Sequence, residues 1–209
     1  MRYLVLIGDI VASRNSARRH DLQEQMKAVF AEFNQNNAGL VSPYTLTLGD
    51  EFQVVFNQAD RVFTDIFAIL AILPTKVRFS LGLGAITTDL NPAQALGMDG
   101  PAFYNARNGI NKLKKQGDHL YNLEGLADDL QTMANAVLRL LSHTSKKWHA
   151  NRYAILSHLL RGWSVDAIVK DLAISEQAVY KNINSGGIEA TIELVSALTN
   201  VINTSLQEK

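Results

Sequence analysis

The chain contains no cysteine, so it can form no disulfide and offers no thiolate ligand to a metal. It also lacks any apolar run close to the roughly 20 residues that cross a bilayer. Its apolar start, MRYLVLIGDIV, has neither a basic n-region nor a small-residue cleavage site. That start therefore predicts a buried strand rather than a signal peptide. Together these absences favour a cytoplasmic protein without a membrane segment.

An excess of charge of either sign is absent as well. Lys plus Arg number 20, and Asp plus Glu also number 20. A neutral chain has no global attraction to nucleic acid, so any site for a polyanion must be a local feature. With 209 residues, of which 47% are hydrophobic, the chain is long enough for one large domain or two small ones.

Several familiar site patterns are missing. The five histidines show no metal-ligand spacing, and no Ser-His-Asp arrangement can be argued from the sequence. Gly82 and Gly84 do not form a dinucleotide-binding fingerprint, because their spacing is wrong and they lie in a predicted strand. We expect these two glycines to allow close packing of the backbone.

The hydrophobic pattern predicts two parts. The first part, residues 1–125, has the order β-α-β-β-α-β, which is the ferredoxin-like pattern. Its predicted strands span 3–11, 44–48, 52–56 and 76–88, its helices span 16–34 and 58–73, and a helix over 101–115 and a strand over 118–123 follow. The second part, residues 126–209, is predicted to be entirely helical. The expected class is therefore α+β, a ferredoxin-like cyclase-type domain followed by an all-α domain.

Two aspartates, Asp9 and Asp50, are brought to the same edge of the sheet by this topology. The third strand runs antiparallel beside the first, so the end of the first strand, with Asp9, meets the start of the third, with Asp50. Carboxylates brought close together repel each other unless a cation lies between them. Oxygen ligands favour Mg²⁺ or Mn²⁺. The alternatives are that Asp50 only serves the hairpin turn and that Asp9 only caps the following turn.

A basic segment directly follows Asp9. The stretch IVASRNSARR places arginines in the first turn of a predicted helix, where positive charge opposes the helix dipole. A bound anion would relieve that conflict, since helix N-termini bind phosphate well. The candidate ligand-binding residues are Ser13, Arg14 and Arg18, with Gly49 in the hairpin turn. The alternative is that the arginines form a solvated helix face.

Four stretches carry a resemblance to known proteins. LIGDIVAS, TLGDEFQVVF, VRFSLGLGAI and GPAFYNAR resemble the class III nucleotidyl cyclase domain and its GGDEF relatives. The resemblance implies that Asp9 and Asp50 are metal ligands, that Ile10 contributes its backbone carbonyl, and that Arg107 stabilises charge in a transition state. It also implies a homodimer. With its helical tail, the chain most closely resembles the SatD family of bacterial proteins.

The sequence departs from the cyclases where they recognise the base. Leu46 stands where adenine-reading cyclases have Lys, and Leu48 stands where diguanylate cyclases have their first Gly. Asn105 and Arg107 are two residues apart, whereas the cyclase pair is four apart. The metal-binding half of the pattern is thus retained and the base-reading half is not. This combination favours a different nucleotide ligand, or a sensor that binds without turnover.

The second part contains a helix-turn-helix pattern. SVDAIVKDLAISEQAVYKNI, residues 164–183, predicts two short helices with a turn at Ala173. The exposed side chains of the second helix, candidates for DNA contact, are Glu176, Gln177, Tyr180 and Lys181. Gln can read adenine, and Lys can contact phosphate or guanine. The alternative is a trihelical packing or dimerisation module, since acidic residues slightly outnumber basic ones in residues 151–209.

Three hypotheses follow from these patterns. In the first, a cyclase-like domain binds Mg²⁺ or Mn²⁺ and a phosphorylated ligand such as a nucleotide, and so controls a DNA-binding helix-turn-helix. In the second, the same site is an enzyme that transfers a nucleotidyl or phosphoryl group, with Arg107 or Arg14 stabilising charge. In the third, the chain is a structural interaction module whose site has degenerated.

Overall fold

A computed structural model gives the fold. It describes residues 1–11, 16–36, 38–47, 50–117 and 119–208, with the backbone alone over 16–19. The described residues form a five-stranded sheet with helices packed on it, which confirms the predicted α+β class.

The strand order of the sheet places the first strand at its centre. The strands are β1 Tyr3–Ile10, β2 Leu40–Leu46, β3 Glu51–Phe56, β4 Val77–Gly84 and β5 Tyr121–Glu124. Their order is β2-β3-β1-β4-β5, and every neighbouring pair is antiparallel except β4 with β5. The central position of β1 explains its long apolar run, because a strand that is covered on both faces needs little alternation.

Helices connect these strands and make up most of the chain after them. They are α1 Ser16–Gln35, α2 Val62–Ile72, α3 Pro101–Gln116, α4 Asp128–Thr144, α5 Ala150–Leu160, α6 Val165–Leu172, α7 Glu176–Gly186 and α8 Ile188–Gln207. A short 3₁₀ turn, Ser145–Lys147, joins α4 to the segment before α5. Among the described helices, none combines the length and the apolarity that crossing a bilayer requires.

Two strands differ in extent from the prediction. β2 begins at Leu40, four residues before the predicted start of this strand at residue 44. Pro43 is tolerated there because β2 is an edge strand, whose pairing with β3 shifts register on either side of Ser42. β4 ends at Gly84 rather than near residue 88. The chain leaves the sheet there, and the next carbonyl, of Ala85, accepts a hydrogen bond from Ala102 N–H at 3.2 Å in the first turn of α3.

The two faces of the sheet support two hydrophobic clusters. The larger cluster joins one face of the sheet to α1, α2 and the helices that follow residue 126, with buried members from Leu4 to Leu206. The smaller cluster lies under α3, where Val5, Ile7 and Val55 meet Ala102, Ala106 and Ile110. Because the larger cluster continues through both predicted parts, they share a core. The boundary near residue 125 stays a prediction.

Gly82 and Gly84 bring α3 into close contact with the sheet, as the sequence predicted. A Cβ atom on Gly82 would lie closer than 3.0 Å to the backbone of Ala102 and Ala106, and one on Gly84 would lie 2.7 Å from Ala102 N. No larger residue fits at either position without moving the helix. This contact fixes the height at which α3 carries its side chains above the sheet.

The later helices dock on α2 through α5. The Tyr153 ring stacks on Phe67 of α2, with 6.4 Å between ring centroids, and Trp148 packs against Tyr153 at 5.4 Å. The Ser157 hydroxyl donates to the Thr64 carbonyl at 3.0 Å. These buried contacts join the sheet part of the chain to its helical part.

Helices α6 and α7 lie where the sequence predicted two short helices, although α7 continues beyond residue 183 to Gly186. Ser164 and Ser175 are N-caps, and their side chains accept hydrogen bonds from the backbone N–H groups of Ala167 and Ala178. Ala173 ends α6 in the left-handed region, with φ of 50°. Glycine is usual there, so this alanine carries a modest strain.

Candidate functional site

Asp9 lies near the end of β1, on the face of the sheet that α3 covers. Side chains alternate along a strand, so Val5, Ile7 and Asp9 share this face, and the first two belong to the cluster under α3. Asp9 is paired in register with Glu51 on β3 and with Arg78 on β4. It is 7% exposed, so its charge needs partners within the protein.

One strand and one helix supply those partners. Arg78 Nη1 donates to Asp9 Oδ2 at 2.8 Å, and Lys114 Nζ of α3 lies 2.9 Å from Asp9 Oδ1. The same Lys114 Nζ donates to Glu51 Oε1 at 3.0 Å, and Arg107 Nη1 donates to Glu51 Oε2 at 2.6 Å. We call these five residues, Asp9, Glu51, Arg78, Arg107 and Lys114, the charged cluster.

The sequence explains why α3 can reach both carboxylates. Arg107 and Lys114 are seven residues apart, which is close to two helical turns, so both project from one side of α3. Between them Ile110 is fully buried against the sheet. On the opposite face of the sheet, the Phe52 ring fills the space that a Cβ of Gly8 would need. Gly8 therefore lets the Phe52 ring lie against β1 just before Asp9.

The contacts within the charged cluster shift the pKa values of Glu51 and Lys114. Burial alone would raise the pKa of Glu51, but the hydrogen bonds from Arg107 and Lys114 outweigh it and hold the pKa below its ordinary value. Burial alone would lower the pKa of Lys114, but its hydrogen bonds to Asp9 and Glu51 hold that pKa above its ordinary value. Both shifts favour the charged forms of Glu51 and Lys114.

The donor set of the charged cluster fits a cation. Asp9 Oδ1 and Glu51 Oε1 converge on one ammonium nitrogen, at 2.9 and 3.0 Å, so a positive charge already lies between two carboxylates. Among the residues that the structure describes, no group of three or more acidic or histidine side chains converges into a metal-binding cluster. Mg²⁺ needs no such group, since it commonly uses one or two carboxylates and completes its shell with water and phosphate oxygens.

The predicted metal ligands lie at this same edge of the sheet. Ile10 follows Asp9 directly, and its N–H donates to the Asp50 carbonyl at 2.9 Å. The topology therefore brings the two segments that carry Asp9 and Asp50 into contact. Asp50 itself precedes β3 and is partly exposed. Its role as a ligand stays a prediction.

Only some of the other predicted binding residues lie within the part of the chain that the structure describes. Arg107 belongs to the charged cluster, where its side chain is 44% exposed. Ser13, Arg14 and Gly49 lie outside the described residues, and Arg18 is described in its backbone alone. Their proposed contacts with a phosphate stay predictions.

Three members of the charged cluster were not among the predicted site residues: Glu51, Arg78 and Lys114. Glu51 could have been predicted from the sequence, because β-α-β-β-α-β topology places the start of β3 antiparallel beside the end of β1. In the structure Glu51 pairs with Asp9. The position of Arg78 depends on the register between β1 and β4, and that of Lys114 on where α3 crosses the sheet. Neither can be read from spacing in one sequence.

The residues predicted to contact DNA lie together on the surface of α7. Glu176, Gln177, Tyr180 and Lys181 are all exposed, while Val179 and Ile183 are buried on the opposite side of the helix. Tyr180 is 47% exposed, so its phenol ring is open to solvent. The exposed face of α7 therefore combines an amide, a phenol and an ammonium group.

Comparison with known proteins identifies the family. The model of the SatD family matches residues 3–198, so the chain belongs to the SatD family, as its sequence motifs suggested. No curated protein matches it.

The comparison with solved structures finds nucleotide cyclases, at low TM-scores. One is the catalytic core of a rhodopsin-guanylyl cyclase with converted specificity in complex with ATPalphaS, at 17% identity and a TM-score of 0.37, covering 53% of this chain and 71% of that one. Two structures of a bacterial light-regulated adenylyl cyclase are also 17% identical, each with a TM-score of 0.38. They cover 58% and 59% of this chain, and this chain spans 74% and 42% of theirs.

Proposed function

We propose that this protein is a regulator whose sheet part binds a divalent cation, Mg²⁺ or Mn²⁺, together with a phosphorylated ligand of the nucleotide class. The observation that carries this proposal is the convergence of Asp9 Oδ1 and Glu51 Oε1 on one cation position. The order β2-β3-β1-β4 supports a ferredoxin-like, cyclase-type core over residues 1–125, since it brings the end of β1 beside the start of β3.

The balance of charge in the cluster favours an anionic ligand. Three cationic side chains face two carboxylates within the charged cluster, so these five residues together carry a net positive charge before a divalent ion enters. Arg107 is the most exposed of the three and presents a planar set of donors that suits phosphate oxygens. A bound divalent cation would add positive charge that a phosphorylated ligand can use. Asp9 and Glu51 would hold the cation, and Arg107 would orient the ligand.

Ligand-dependent stabilisation tests this proposal. The melting temperature is measured with ATP and with GTP, each with and without Mg²⁺, for the wild type and for Asp9→Asn. We expect stabilisation that needs both the nucleotide and the ion, and that Asp9→Asn abolishes it. Asp89→Asn, which changes an exposed loop residue, is the matched control and keeps the wild-type response. Absence of any shift in the wild type would favour a degenerate site and a structural role.

An enzyme is the alternative that the same site permits. Arg107 is placed to stabilise charge on a transferring phosphoryl or nucleotidyl group, as it would on a bound ligand. Product analysis after long incubation with the stabilising nucleotide separates the two functions. A new product that depends on Arg107 would assign transfer activity, and an unchanged nucleotide would assign sensing.

A second function, DNA binding, is favoured by the helical part. We infer that α6 and α7 form a helix-turn-helix over residues 164–183, supported by the two serine caps and the tight connection through Ala173. The exposed face of α7 would then enter the major groove with Gln177 and Lys181 as the reading side chains. A homodimer would present two such helices, and light scattering of the purified protein measures that state.

A further inference from the structure

The two carboxylates of the charged cluster have the same arrangement of partners. Each carboxylate has an outer oxygen bound by an arginine: Asp9 Oδ2 by Arg78 and Glu51 Oε2 by Arg107. Each has an inner oxygen bound by Lys114: Asp9 Oδ1 at 2.9 Å and Glu51 Oε1 at 3.0 Å. The inner oxygens are therefore the pair that shares one cation.

We infer that Lys114 is the resident cation of this site, and that a divalent ion can bind between Asp9 and Glu51 only after the Lys114 ammonium has left. This inference rests on the proposed function, because it concerns the same cation position. It assigns Lys114 a role that sets the metal affinity of the protein.

The geometry makes the two cations mutually exclusive. A divalent ion held by carboxylates lies about 2.1 Å from their oxygens, well within the space that the ammonium nitrogen now occupies. Two positive charges at such a separation repel strongly in a partly buried site. The protein can therefore hold either the ammonium or the ion between the inner oxygens.

Departure of Lys114 leaves both carboxylates with partners. Asp9 keeps Arg78 and Glu51 keeps Arg107, so neither charge becomes isolated when the ammonium leaves. The Lys114 side chain is 42% exposed, and its flexible stem can swing into solvent or towards a bound phosphate. The arginines thus fix the carboxylates while the lysine exchanges with the ion.

The chain offers a matched control two residues earlier on the same helix. Lys112 Nζ contacts Glu124 Oε1 at 2.6 Å, and its side chain is 52% exposed. Lys112 is also a lysine of α3 that contacts a carboxylate. It contacts the single carboxylate of Glu124, whereas Lys114 lies between two carboxylates. Removing this lysine tests the general effect of losing a positive charge from α3.

Calorimetric titration with Mn²⁺ alone tests the inference in wild type, Lys114→Met, Lys114→Gln and Lys112→Met. If Lys114 fills the position nine-tenths of the time, its removal tightens Mn²⁺ binding about tenfold, since apparent affinity scales with the competent fraction. We expect this for both Lys114 variants and only a small change for Lys112→Met. In melting experiments, the Lys114 variants should be less stable than wild type without metal and gain more from Mn²⁺.

The outcomes separate the two proposals. If wild type binds Mn²⁺ and the folded Lys114 variants bind it equally or more weakly, the inference about Lys114 fails while the metal site stands. If neither wild type nor the Lys114 variants bind Mn²⁺, the metal site and the inference both fail. Equal tightening in Lys112→Met would attribute the effect to general charge and would also overturn the inference.

Discussion

The backbone of Ala106 occupies the space that a side chain on Gly82 would need. The two residues face each other where α3 crosses β4, and a Cβ atom added to Gly82 would lie closer than 3.0 Å to Ala106 N. This contact sets the distance between α3 and the sheet. The positions of Arg107 and Lys114 over the carboxylates depend on it, because both side chains start from the same helix.

Gly82→Ala should therefore be strongly destabilising. The new methyl group meets backbone atoms of Ala102 and Ala106, which cannot rotate away, so α3 must move. We expect a loss of about 3 kcal/mol in the free energy of unfolding, as for a severely overpacked core. Urea denaturation followed by circular dichroism measures it.

Gly186→Ala is the comparison variant for Gly82→Ala. Its methyl group would meet the side chain of Arg152, with 2.8 Å to the nearest atoms, and that flexible chain can shift. Alanine also favours the helical conformation of α7. We expect a change within about 1 kcal/mol. A Gly82→Ala variant as stable as Gly186→Ala would show that α3 does not depend on the close contact.

Much of the fold could be predicted because its local signals agree with its tertiary structure. The two short helices on either side of Ala173, the apolar run of β1 and the close-packing role of Gly82 were all predicted from the sequence. The start of β2 was not, because Pro43 and the polar stretch before it favour a loop. Pairing with β3 at the edge of the sheet overrides that local preference.

The candidate site was predicted at Asp9, which chain topology determines, and at Arg107, which the cyclase resemblance implied. Asp9 was found because β-α-β-β-α-β order brings the end of the first strand to the start of the third. Glu51, one residue after the predicted ligand Asp50, faces Asp9 because of the strand register. Arg78 and Lys114 depend on the register of β4 and on the crossing position of α3. Those quantities arise from packing, which a single sequence does not reveal.

Arg61→Met tests a buried ion pair away from the site. Arg61 Nε donates to Asp65 Oδ2 at 2.8 Å, and Tyr44 OH donates to the same oxygen at 2.8 Å. The Asp65 side chain is 4% exposed, so loss of Arg61 leaves a buried carboxylate without its counter-ion. We expect a loss of about 3 kcal/mol in unfolding free energy, measured by urea denaturation.

The control for this pair is Lys27→Met. Lys27 Nζ lies 2.7 Å from Glu24 Oε1, and both side chains are more than half exposed. Exposed pairs of this kind contribute little to stability. Similar losses in Arg61→Met and Lys27→Met would contradict the structural importance assigned to the buried pair.

His158 should make the protein less stable in mild acid. Burial lowers the pKa of His158, and the nearby Arg161 lowers it further, although the carboxylate of Asp171 at 3.0 Å opposes both effects. The net shift is downward, so the unfolded chain takes up the proton at higher pH than the folded one. Stability is therefore complete above the ordinary histidine pKa of about 6.5 and falls as the pH drops towards the folded-state pKa.

Urea denaturation at about pH 7.5 and about pH 5.5 checks this linkage. The decrease in unfolding free energy between the two values should be smaller in His158→Gln than in wild type. His143→Gln, which changes an exposed histidine of α4, should keep the wild-type decrease. An identical decrease in all three proteins would mean that His158 is not linked to folding.

DNA binding by α7 predicts a specific dependence on Lys181. In gel-shift experiments with a random-sequence duplex of about 30 base pairs, the wild-type complex should weaken as salt rises, because phosphate contacts release counter-ions. Lys181→Glu should weaken the complex at low salt and reduce the salt dependence by about one released ion. Lys147→Glu makes the same charge change on an exposed lysine outside α7 and should retain binding. A complex that is insensitive to salt, or that both variants weaken equally, would rule out α7 as the DNA-contacting helix and leave the helical part as a packing or dimerisation module.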